Sequence, residues 1–322
     1  MDATRNSLSA NLRERVRAFL ATRLQPDSHL WVGLSGGCDS VVLLHVLSRL
    51  GLGRISAIHV HHGLSPNADA WAEFCSDYCQ KLAVPLTIRH VTLDASSGYG
   101  LEASARAARY AAYAECDGDC LLLAQHRGDQ AETVLFNLLR GTGVTGAAGM
   151  PVERRFGSLR LMRPMLDVSR AEIEGYALAE GLTWITDESN ADTTLTRNFL
   201  RHEALTAISQ RFPAAEASLA LAASHFAEAA GLLDELAEQD WRLVCEGDAA
   251  RMRPLRELSL HRLKNLLRHR LRCLGWQVPV ASRLEEFARQ LQSAAPDRHP
   301  ELRLPDGKMR VAGGLLHWLS EK

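Results

Sequence analysis

The chain lacks the features of a membrane or secreted protein. Its 322 residues contain no apolar run approaching the ~20 residues of a membrane-spanning helix. Residues 1–24 mix acidic and basic side chains and lack the apolar centre of a signal peptide. Hydrophobic residues nevertheless make up 46% of the sequence, which is enough for packed cores. We therefore expect a cytoplasmic globular protein with no membrane partner.

The sequence lacks paired cysteine motifs, and the spacing of its cysteines favours neither a zinc site nor a disulfide framework. The seven cysteines are scattered, and none of them forms a C-x-x-C pair. Cys75 and Cys79, like Cys116 and Cys120, are spaced C-x3-C, but no second matching pair completes a zinc site. We expect reduced and mostly buried thiols, as in other intracellular proteins.

The chain has no overall excess of charge, because its formal net charge is −1. The distribution of charge is nevertheless uneven. Residues 251–322 hold 15 Lys and Arg against 7 Asp and Glu, whereas the first 250 residues hold 22 against 31. This asymmetry predicts that the C-terminal part binds a polyanion such as a nucleic acid.

Short apolar runs alternate with helical patterns in the first half of the chain. Buried strands are predicted over residues 30–34, 55–60, 86–91 and 120–124. Helices are predicted between them, over residues 41–50, 68–82 and 101–116, and then over 129–140, 170–180 and 198–209. This alternation predicts an α/β fold with a doubly wound parallel sheet.

The pattern changes towards the C-terminus. An alanine-rich stretch over residues 213–238 predicts a long helical connector. It is followed by a predicted basic amphipathic helix over 258–274, a helix over 282–292 and short strands over 302–319. We therefore predict a catalytic domain over residues 1–214, and the connector with a smaller α+β domain over 215–322.

One loop has the composition of a phosphate-binding site. The first predicted strand runs directly into Ser35-Gly36-Gly37-Cys38-Asp39-Ser40, which begins a predicted helix. The glycines let the backbone approach phosphate oxygens at the positive end of the helix, and the serines add hydroxyl donors. The loop has no lysine, so it is not a Walker A site. The loop would suit pyrophosphate, with Asp39 placed to hold a metal ion, although a capped strand–helix turn has the same composition.

The same loop also satisfies a second motif. Gly33-Leu34-Ser35-Gly36-Gly37 matches G-x-S-x-G, the nucleophile elbow, in the strand–turn–helix context that this motif requires. A serine hydrolase that uses Ser35 is therefore an alternative from a different class of enzyme. The G-x-G-x-x-G motif over residues 141–146 follows a predicted helix rather than a strand, so it does not indicate a dinucleotide site.

A second polar cluster, residues 126–133, follows the fourth predicted strand. Asp129 and Glu132 lie three residues apart there, and therefore on one face of a helix. Parallel sheets bind ligands at the carboxyl ends of their strands, so this cluster and the loop should meet at one edge. Complementing the helix dipole is the simpler role for such carboxylates. His59 and His61, at the end of the second strand, favour a polar cleft lining over a metal site.

The motifs occur in an order that is typical of one family. The loop is followed by His59-Val60-His61-His62-Gly63-Leu64, by Glu102, Arg106, Arg109 and Tyr110, and by residues 126–133. Then come Arg163-Pro164 with Leu166, Asp187-Glu188-Ser189-Asn190, and Arg197-Asn198 with Arg201. Over residues 28–205 the chain resembles the tRNA(Ile)-lysidine synthetase family of PP-loop (N-type ATP pyrophosphatase) enzymes, in a short form. Each motif is weak alone, whereas the ordered set is specific.

This resemblance implies an adenine nucleotide alpha hydrolase-like fold and a ligase activity. The family uses ATP and Mg²⁺ to adenylate the wobble cytidine of a tRNA(Ile) with a CAU anticodon, and free L-lysine then displaces AMP. The implied pyrophosphate site is Ser35, Gly36, Gly37, Cys38, Asp39 and Ser40. The implied catalytic residues are Asp39 and Asp129, which would hold Mg²⁺ or the reacting phosphates, Glu132 for the lysine amine, and Arg106 for the α-phosphate or the cytosine.

Contacts to tRNA are expected from both parts of the chain. The resemblance implies Arg197 and Arg201 for the tRNA backbone or ATP. In the basic stretch from Arg251 to Arg272, the excess of positive charge favours phosphate contacts by Arg262, Lys264, Arg268 and Arg272. The sequence leaves a homodimer open.

A tRNA thiolation enzyme on the same PP-loop is the alternative within this class. Such enzymes typically use reactive cysteines, often in C-x-x-C pairs, which this chain does not contain. Cys38 occupies the variable position of the loop, and we do not expect it to be a nucleophile. A nucleotide-binding module without catalysis is a third alternative, and the pair of Asp129 and Glu132 argues modestly against it.

Overall fold

The computed structural model describes residues 2–92, 101–186, 188, 194–295 and 298–320, with the side chains of residues 2–9, 101 and 102 left out. Two parts of the family motifs lie outside the described residues. These are the side chain of Glu102 and, apart from Glu188, the segment Asp187-Glu188-Ser189-Asn190. Among the described helices, none combines the length and the hydropathy that crossing a membrane requires.

The first compact unit, Met1–Phe226, is built on a six-stranded sheet. Its strands are β1 (His29–Gly33), β2 (Arg54–His61), β3 (Leu86–His90), β4 (Cys120–Leu122), β5 (Glu153–Phe156) and β6 (Leu159–Met162). They lie in the order β3-β2-β1-β4-β6-β5. All neighbours pair in parallel except β5 and β6, which form an antiparallel hairpin at one edge.

Helices cover both faces of this sheet. They are α1 (Asp2–Ala21), α2 (Cys38–Leu50), α3 (Ala68–Lys81), α4 (Leu101–Ala114), α5 (Arg127–Leu139), α6 (Val144–Ala147), α7 (Arg170–Ala179), α8 (Thr196–Phe199) and α9 (Leu205–Arg211). Side chains alternate along each strand, so Leu30 and Val32 pack into one core with α1, α2, α3 and α7. Trp31 packs into a second core with α4 on the other face. The predicted doubly wound fold is therefore confirmed.

The strand order creates a switch point between β1 and β4. From β1 the chain continues outward through β2 and β3, and then crosses back to form β4 on the other side of β1. Loops that leave two such strands diverge, and a crevice opens at their carboxyl ends. Residues 35–40 follow β1 and residues 126–133 follow β4, so both predicted clusters lie at this crevice.

The hairpin of β5 and β6 was missed by the sequence patterns. Its apolar residues are interrupted by Arg154 and Arg155, which are exposed on the edge strand β5, and by Arg160 on β6. The turn between the two strands did leave a signal in the sequence, the dipeptide Gly157-Ser158. Gly157 adopts φ +59° there. The missed strand β6 extends the parallel part of the sheet beyond β4.

The second compact unit, Ala227–Lys322, has its own sheet and core, which confirms the predicted α+β character. Its antiparallel strands lie in the order β7-β8-β11-β10-β9. They are β7 (Cys245–Glu246), β8 (Ala249–Arg251), β9 (Glu301–Leu304), β10 (Gly307–Ala312) and β11 (Leu315–Ser320). The helices α11 (Met252–Glu257), α12 (Leu260–Cys273) and α13 (Ala281–Ser293) share the core with them, through residues such as Leu267, Phe287 and Leu316.

The connector is the 30-residue helix α10 (Ala215–Val244), which is longer than the sequence predicted. The division between the compact units falls inside it, after Phe226. The domain boundary at residues 214 and 215 coincides with the start of α10 and stays a prediction. The basic stretch is not one helix, because Arg251 ends β8 and a break after Glu257 separates α11 from α12. Ser259 caps α12 by accepting a hydrogen bond from the backbone N–H of Arg262.

Candidate active site

The loop after β1 is shaped by a left-handed glycine and two serine hydroxyls. Gly36 has φ +85°, and an added Cβ would lie 2.5 Å from Cδ1 of Ile185, so only glycine fits without strain. The backbone N–H of Ser35 donates to Oγ of Ser40 at 3.1 Å, and the Ser40 hydroxyl donates to the carbonyl of Gly37 at 2.9 Å. The serines therefore fix the curvature of the loop from within.

The amino terminus of α2 has no side-chain cap. Gly37 occupies the N-cap position and has no side chain with which to accept a hydrogen bond from the first turn. The first N–H groups of a helix have no partner in the helix itself, and they carry the positive end of its dipole. This end of α2 is therefore suited to an oxyanion, as the sequence led us to expect of a pyrophosphate loop.

His126 caps helix α5 and brings two aspartates together. Its Nδ1 accepts a hydrogen bond from the N–H of Gly128 at 3.0 Å, so the neutral imidazole carries its proton on Nε2. Nε2 lies 3.7 Å from Oδ2 of Asp129 and 4.0 Å from Oδ2 of Asp39. Asp129 in turn accepts a hydrogen bond from the backbone N–H of His126 at 3.0 Å. One imidazole thus contacts both predicted metal ligands, which come from loops after different strands.

Each aspartate is paired with an arginine. Nη1 of Arg170, in the first turn of α7, donates to both carboxylate oxygens of Asp39 at 2.8 Å. Nη2 of Arg201 donates to Oδ1 of Asp129 at 2.7 Å. Arg201 lies in the π-helical turn Leu200–Ala204 between α8 and α9, a distortion that is frequent at functional sites. Sequence reasoning missed Arg170, which no local motif marks.

Glu132 is the buried carboxylate of the site, with 2% of its surface exposed. Its Oε2 lies 2.8 Å from Nη2 of Arg201, and its Oε1 lies 3.6 Å from Nη1 of Arg197. Burial raises the pKa of Glu132 above its ordinary value, although the charges of Arg201 and Arg197 oppose this rise. A carboxylate with a raised pKa is a stronger base than an exposed one, so Glu132 is suited to accepting a proton.

Asp39 has an environment of the same kind. Burial raises its pKa, the charge of Arg170 opposes the rise, and the like charge of Asp129 adds to it. The structure therefore brings together three of the four predicted catalytic residues, Asp39, Asp129 and Glu132, and it adds Arg170 to them. The roles of all these residues stay predictions.

Neither Ser35 nor Cys38 has the surroundings of a nucleophile. Oγ of Ser35 lies 3.1 Å from Oγ of Ser40 and accepts from the N–H of Gly37 at 3.3 Å, and no described histidine bonds to it. A serine nucleophile requires a base within hydrogen-bond reach. Cys38 is 3% exposed, and burial raises the pKa of its thiol to about 11, so little thiolate forms near neutral pH.

Two further residues singled out from the sequence have contacts of their own, away from these carboxylates. Arg106 lies on α4, where its guanidinium carbon is 4.9 Å from the centroid of the Tyr110 ring, and none of its described hydrogen bonds reaches Asp39, Asp129 or Glu132. His59 is buried, and its Nδ1 lies 2.9 Å from the carbonyl oxygen of Leu34, the residue that precedes the loop.

Among the described residues, no group of three or more His, Cys, Asp or Glu is arranged to hold a metal ion.

The basic residues predicted on α12 have partners within their own unit. Arg262 pairs with the buried Asp240, and Arg272 pairs with Asp234. Nζ of Lys264 lies 2.7 Å from Oε2 of Glu285. Arg268 is the one residue of the four with no ion pair among the described side chains. Their assignment to tRNA binding stays a prediction, and Arg268 is the best placed of them for a phosphate.

The fold and the site together define a class of protein. A doubly wound sheet with a glycine-rich, lysine-free loop after β1 and an acidic helix start after β4 is the arrangement of the PP-loop enzymes, which use ATP. A PP-loop domain profile matches residues 8–208, and a profile described as the TilS substrate binding domain matches residues 251–317. The chain belongs to the tRNA(Ile)-lysidine synthase family.

Curated relatives support this assignment over most of the chain. The tRNA(Ile)-lysidine synthase of Nitrosomonas europaea is 41% identical over 306 residues, which cover 93% of this chain and 67% of the relative. The one of Pseudomonas fluorescens is 44% identical over 307 residues, which cover 91% and 69%. The chain thus spans about two thirds of the length of these relatives.

A solved structure shares the fold at low sequence identity. The U34-tRNA thiolase NcsA from Methanococcus maripaludis superposes with a TM-score of 0.61 at 16% identity, covering 70% of this chain and 80% of that one. At this identity the likeness shows the fold alone. It agrees with the predicted adenine nucleotide alpha hydrolase-like architecture.

Proposed function

We propose that this chain joins free lysine to C2 of the wobble cytidine of a tRNA(Ile) with a CAU anticodon, in two steps. In the first step, the C2 oxygen of the cytosine attacks the α-phosphorus of ATP and diphosphate leaves. In the second, the ε-amine of lysine attacks C2, the bond from C2 to the adenylated oxygen breaks, and AMP leaves. The convergence of the phosphate loop, Asp39, Asp129 and Glu132 at one crevice is the observation that carries this proposal.

The first step requires charge to be neutralised on the leaving diphosphate. The uncapped start of α2 would hold its oxygens with backbone N–H groups, and Ser35 and Ser40 would keep the loop in shape. Asp39 and Asp129 would hold Mg²⁺, a hard cation that proteins bind through one or two carboxylates together with substrate phosphates. The donor set fits such an ion, because the two carboxylates lie against one imidazole, 4.0 and 3.7 Å from Nε2 of His126. Bound Mg²⁺ would stabilise the charge that develops on the diphosphate.

The second step requires a neutral amine, because an ammonium group cannot attack C2. The pKa of a lysine amine is about 10.4, so most of the substrate is protonated near neutral pH. Glu132 is buried, has a raised pKa and lies on the same helix face as Asp129. We assign it the role of holding the lysine ammonium and accepting its proton. Arg201 and Arg197, which pair with Glu132 in the structure, would then turn to phosphate groups of ATP or tRNA.

The partial reactions test this order of steps. With ATP, Mg²⁺ and tRNA but no lysine, the enzyme should release diphosphate and form adenylated tRNA, while free AMP should appear only after lysine is added. Rapid-quench assays with ATP labelled at the α-phosphate would separate the two products. Free AMP at the same rate without lysine would indicate hydrolysis of ATP or of the adenylate, and would contradict the proposal.

Cys38→Ala should keep most of the activity. The thiol is buried and protonated, so its contribution to the loop is packing rather than chemistry. We expect a rate of lysidine formation within about threefold of the parent enzyme, as for ordinary losses of packing. Cys116→Ala and Cys120→Ala, which change buried thiols before and in β4, serve as controls. A folded Cys38→Ala variant without activity would favour the thiolation alternative.

Arg268→Gln should weaken tRNA binding without affecting the stability of the second unit. Each Lys or Arg on a phosphate contributes about 0.7–0.9 to the slope of log affinity against log salt. The slope measured by filter binding should therefore fall by about that amount, while the melting temperature stays the same.

Arg262→Gln is the matched variant on the same helix. It leaves the fully buried Asp240 without its described partner, so it should lower the melting temperature. An unchanged salt slope for Arg268→Gln would show that this face of α12 is only solvated.

A further inference from the structure

A second cationic cluster lies on the face of the first sheet that is covered by α4. The guanidinium carbons of Arg106 and Arg154 lie 4.9 and 5.5 Å from the centroid of the Tyr110 ring. Arg154 also lies 5.3 Å from the ring of Phe156. The third cation, Arg163, is 3% exposed and follows directly after β6. We call Arg106, Arg154, Arg163 and Tyr110 the Tyr110 cluster.

The positive charge of this cluster is not compensated by the described side chains. None of the three guanidiniums pairs with a carboxylate of a described residue. Arg163 donates to Oε1 of Gln125 at 3.1 Å and to the carbonyl of Pro151 at 2.6 Å, and Arg106 donates to the hydroxyl of Tyr110 at 3.4 Å. In the active site, by contrast, Arg170 and Arg201 each bind a carboxylate. Three like charges around one ring form a site that an anion would stabilise.

The pKa of the Tyr110 phenol responds to this excess of positive charge. Burial acts to raise the pKa of Tyr110, but the charges of Arg106, Arg163 and Arg154 outweigh it and lower the pKa below its usual value. The net effect of the neighbouring charges at the phenol is therefore positive. The same charges would favour a phosphate that approaches the ring.

The cluster adjoins the active site through Arg163, at the carboxyl edge of the sheet. Strands β4 and β6 are parallel neighbours, so their carboxyl ends lie side by side. Arg163 follows β6, and its partner Gln125 immediately precedes His126, which contacts Asp39 and Asp129. A nucleotide with its base at the carboxylates would therefore carry its neighbouring backbone past the Tyr110 cluster.

We propose that the Tyr110 cluster binds a backbone phosphodiester next to the target cytidine. This inference rests on the proposed function and adds a subsite for the substrate RNA. Cationic side chains beside aromatic rings are a common means of holding single-stranded RNA. The rings of Tyr110 and Phe156, 5.5 Å apart and inclined at 80°, both pack against the guanidinium of Arg154. Arg154 and Arg163 then act as positioning residues, which set the cytidine against the α-phosphate.

Adjacent residues of β5 provide a matched pair of variants. Arg154 and Arg155 are both exposed, but they lie on opposite faces of the strand. Arg154→Gln should weaken the binding of an anticodon stem–loop RNA with a CAU loop by about 10-fold. It should also lower the salt slope by about 0.7, the value for one phosphate on a single strand. Arg155→Gln should change neither quantity, and the affinity for ATP should stay the same in both variants.

A chemical change in the RNA identifies the phosphate. Replacing one phosphodiester beside the target cytidine with a neutral methylphosphonate should weaken binding to the parent enzyme as much as Arg154→Gln does. The variant should lose nothing more with that RNA. Equal salt slopes for Arg154→Gln and Arg155→Gln would overturn the inference. So would a loss of ATP affinity at an unchanged slope, which would assign the cluster to the nucleotide.

These binding measurements use neither lysine nor turnover. A parent enzyme that bound the stem–loop but formed no lysidine would contradict the proposed function, while the comparison of Arg154→Gln with Arg155→Gln would still decide the phosphate site.

Discussion

Asp39→Asn should lower the rate of diphosphate release by about 10²-fold or more, the scale for loss of one key charge-stabilising group. The amide keeps the shape of the carboxylate but not its charge, so Mg²⁺ and the departing diphosphate would lose a ligand that Asp129 alone cannot replace. The first step should therefore fail, and adenylated tRNA should not accumulate even when lysine is absent. The measurement is single-turnover release of diphosphate at saturating ATP and tRNA.

The same variant should remain folded. Burial raises the pKa of Asp39 above its value in the unfolded chain, so the ionised group is less favourable in the fold. The stability that this group contributes is present below the unfolded pKa and is lost as pH rises through the folded pKa. Near pH 8 the amide should therefore leave the melting temperature unchanged or slightly raised. Asp77→Asn, an exposed carboxylate of α3, is the control, and a near-normal rate in Asp39→Asn would contradict the assignment.

Glu132→Gln should separate the two steps. Adenylation does not use this carboxylate as a base, so adenylated tRNA should form at close to the normal rate. Transfer of lysine should fall by about 10²–10⁴-fold, the range for loss of a general base. The measurement is a chase, in which adenylated tRNA is formed first and lysine is then added. Glu73→Gln, on the exposed face of α3, is the control.

The dependence on pH distinguishes a base from a structural role. Below the pKa of the lysine amine, about 10.4, the neutral fraction of the substrate rises about tenfold per pH unit. The defect of Glu132→Gln should therefore shrink as pH rises from 7 to 9, because less proton transfer to the enzyme is required. A variant that loses both steps equally, with no recovery at higher pH, would show that Glu132 only holds Arg201 and Arg197 in place.

The features predicted from the sequence are those that depend on neighbouring residues. The strand, the glycine-rich loop and the helix at residues 29–50 are continuous in the chain, so their pattern is visible without tertiary information. The same is true of Asp129 and Glu132 on one turn of α5. Their meeting with Asp39 followed from a general property of parallel sheets, in which ligands bind at the carboxyl ends of strands.

The features that were not predicted depend on contacts distant in sequence. Arg170 is 131 residues from Asp39, and the two side chains meet only because α7 packs against α2. The pairing of Arg262 with Asp240 has the same origin, since a basic helix face gives no sign of which residues a neighbouring helix will neutralise. The π-helical turn at Arg201 also left no signal, because its extra residue per turn occurs inside an otherwise helical pattern.

The most direct test of the central claim is the product itself. The full chain is incubated with ATP, Mg²⁺, a tRNA(Ile) transcript with a CAU anticodon and lysine labelled with heavy isotopes, and the tRNA is then digested to nucleosides. Mass spectrometry should show one cytidine per tRNA converted to a nucleoside that carries the labelled lysine, with one AMP and one diphosphate released for each. A wobble cytidine that stays unmodified although ATP has been consumed, or one that carries sulfur in place of lysine, would contradict the account.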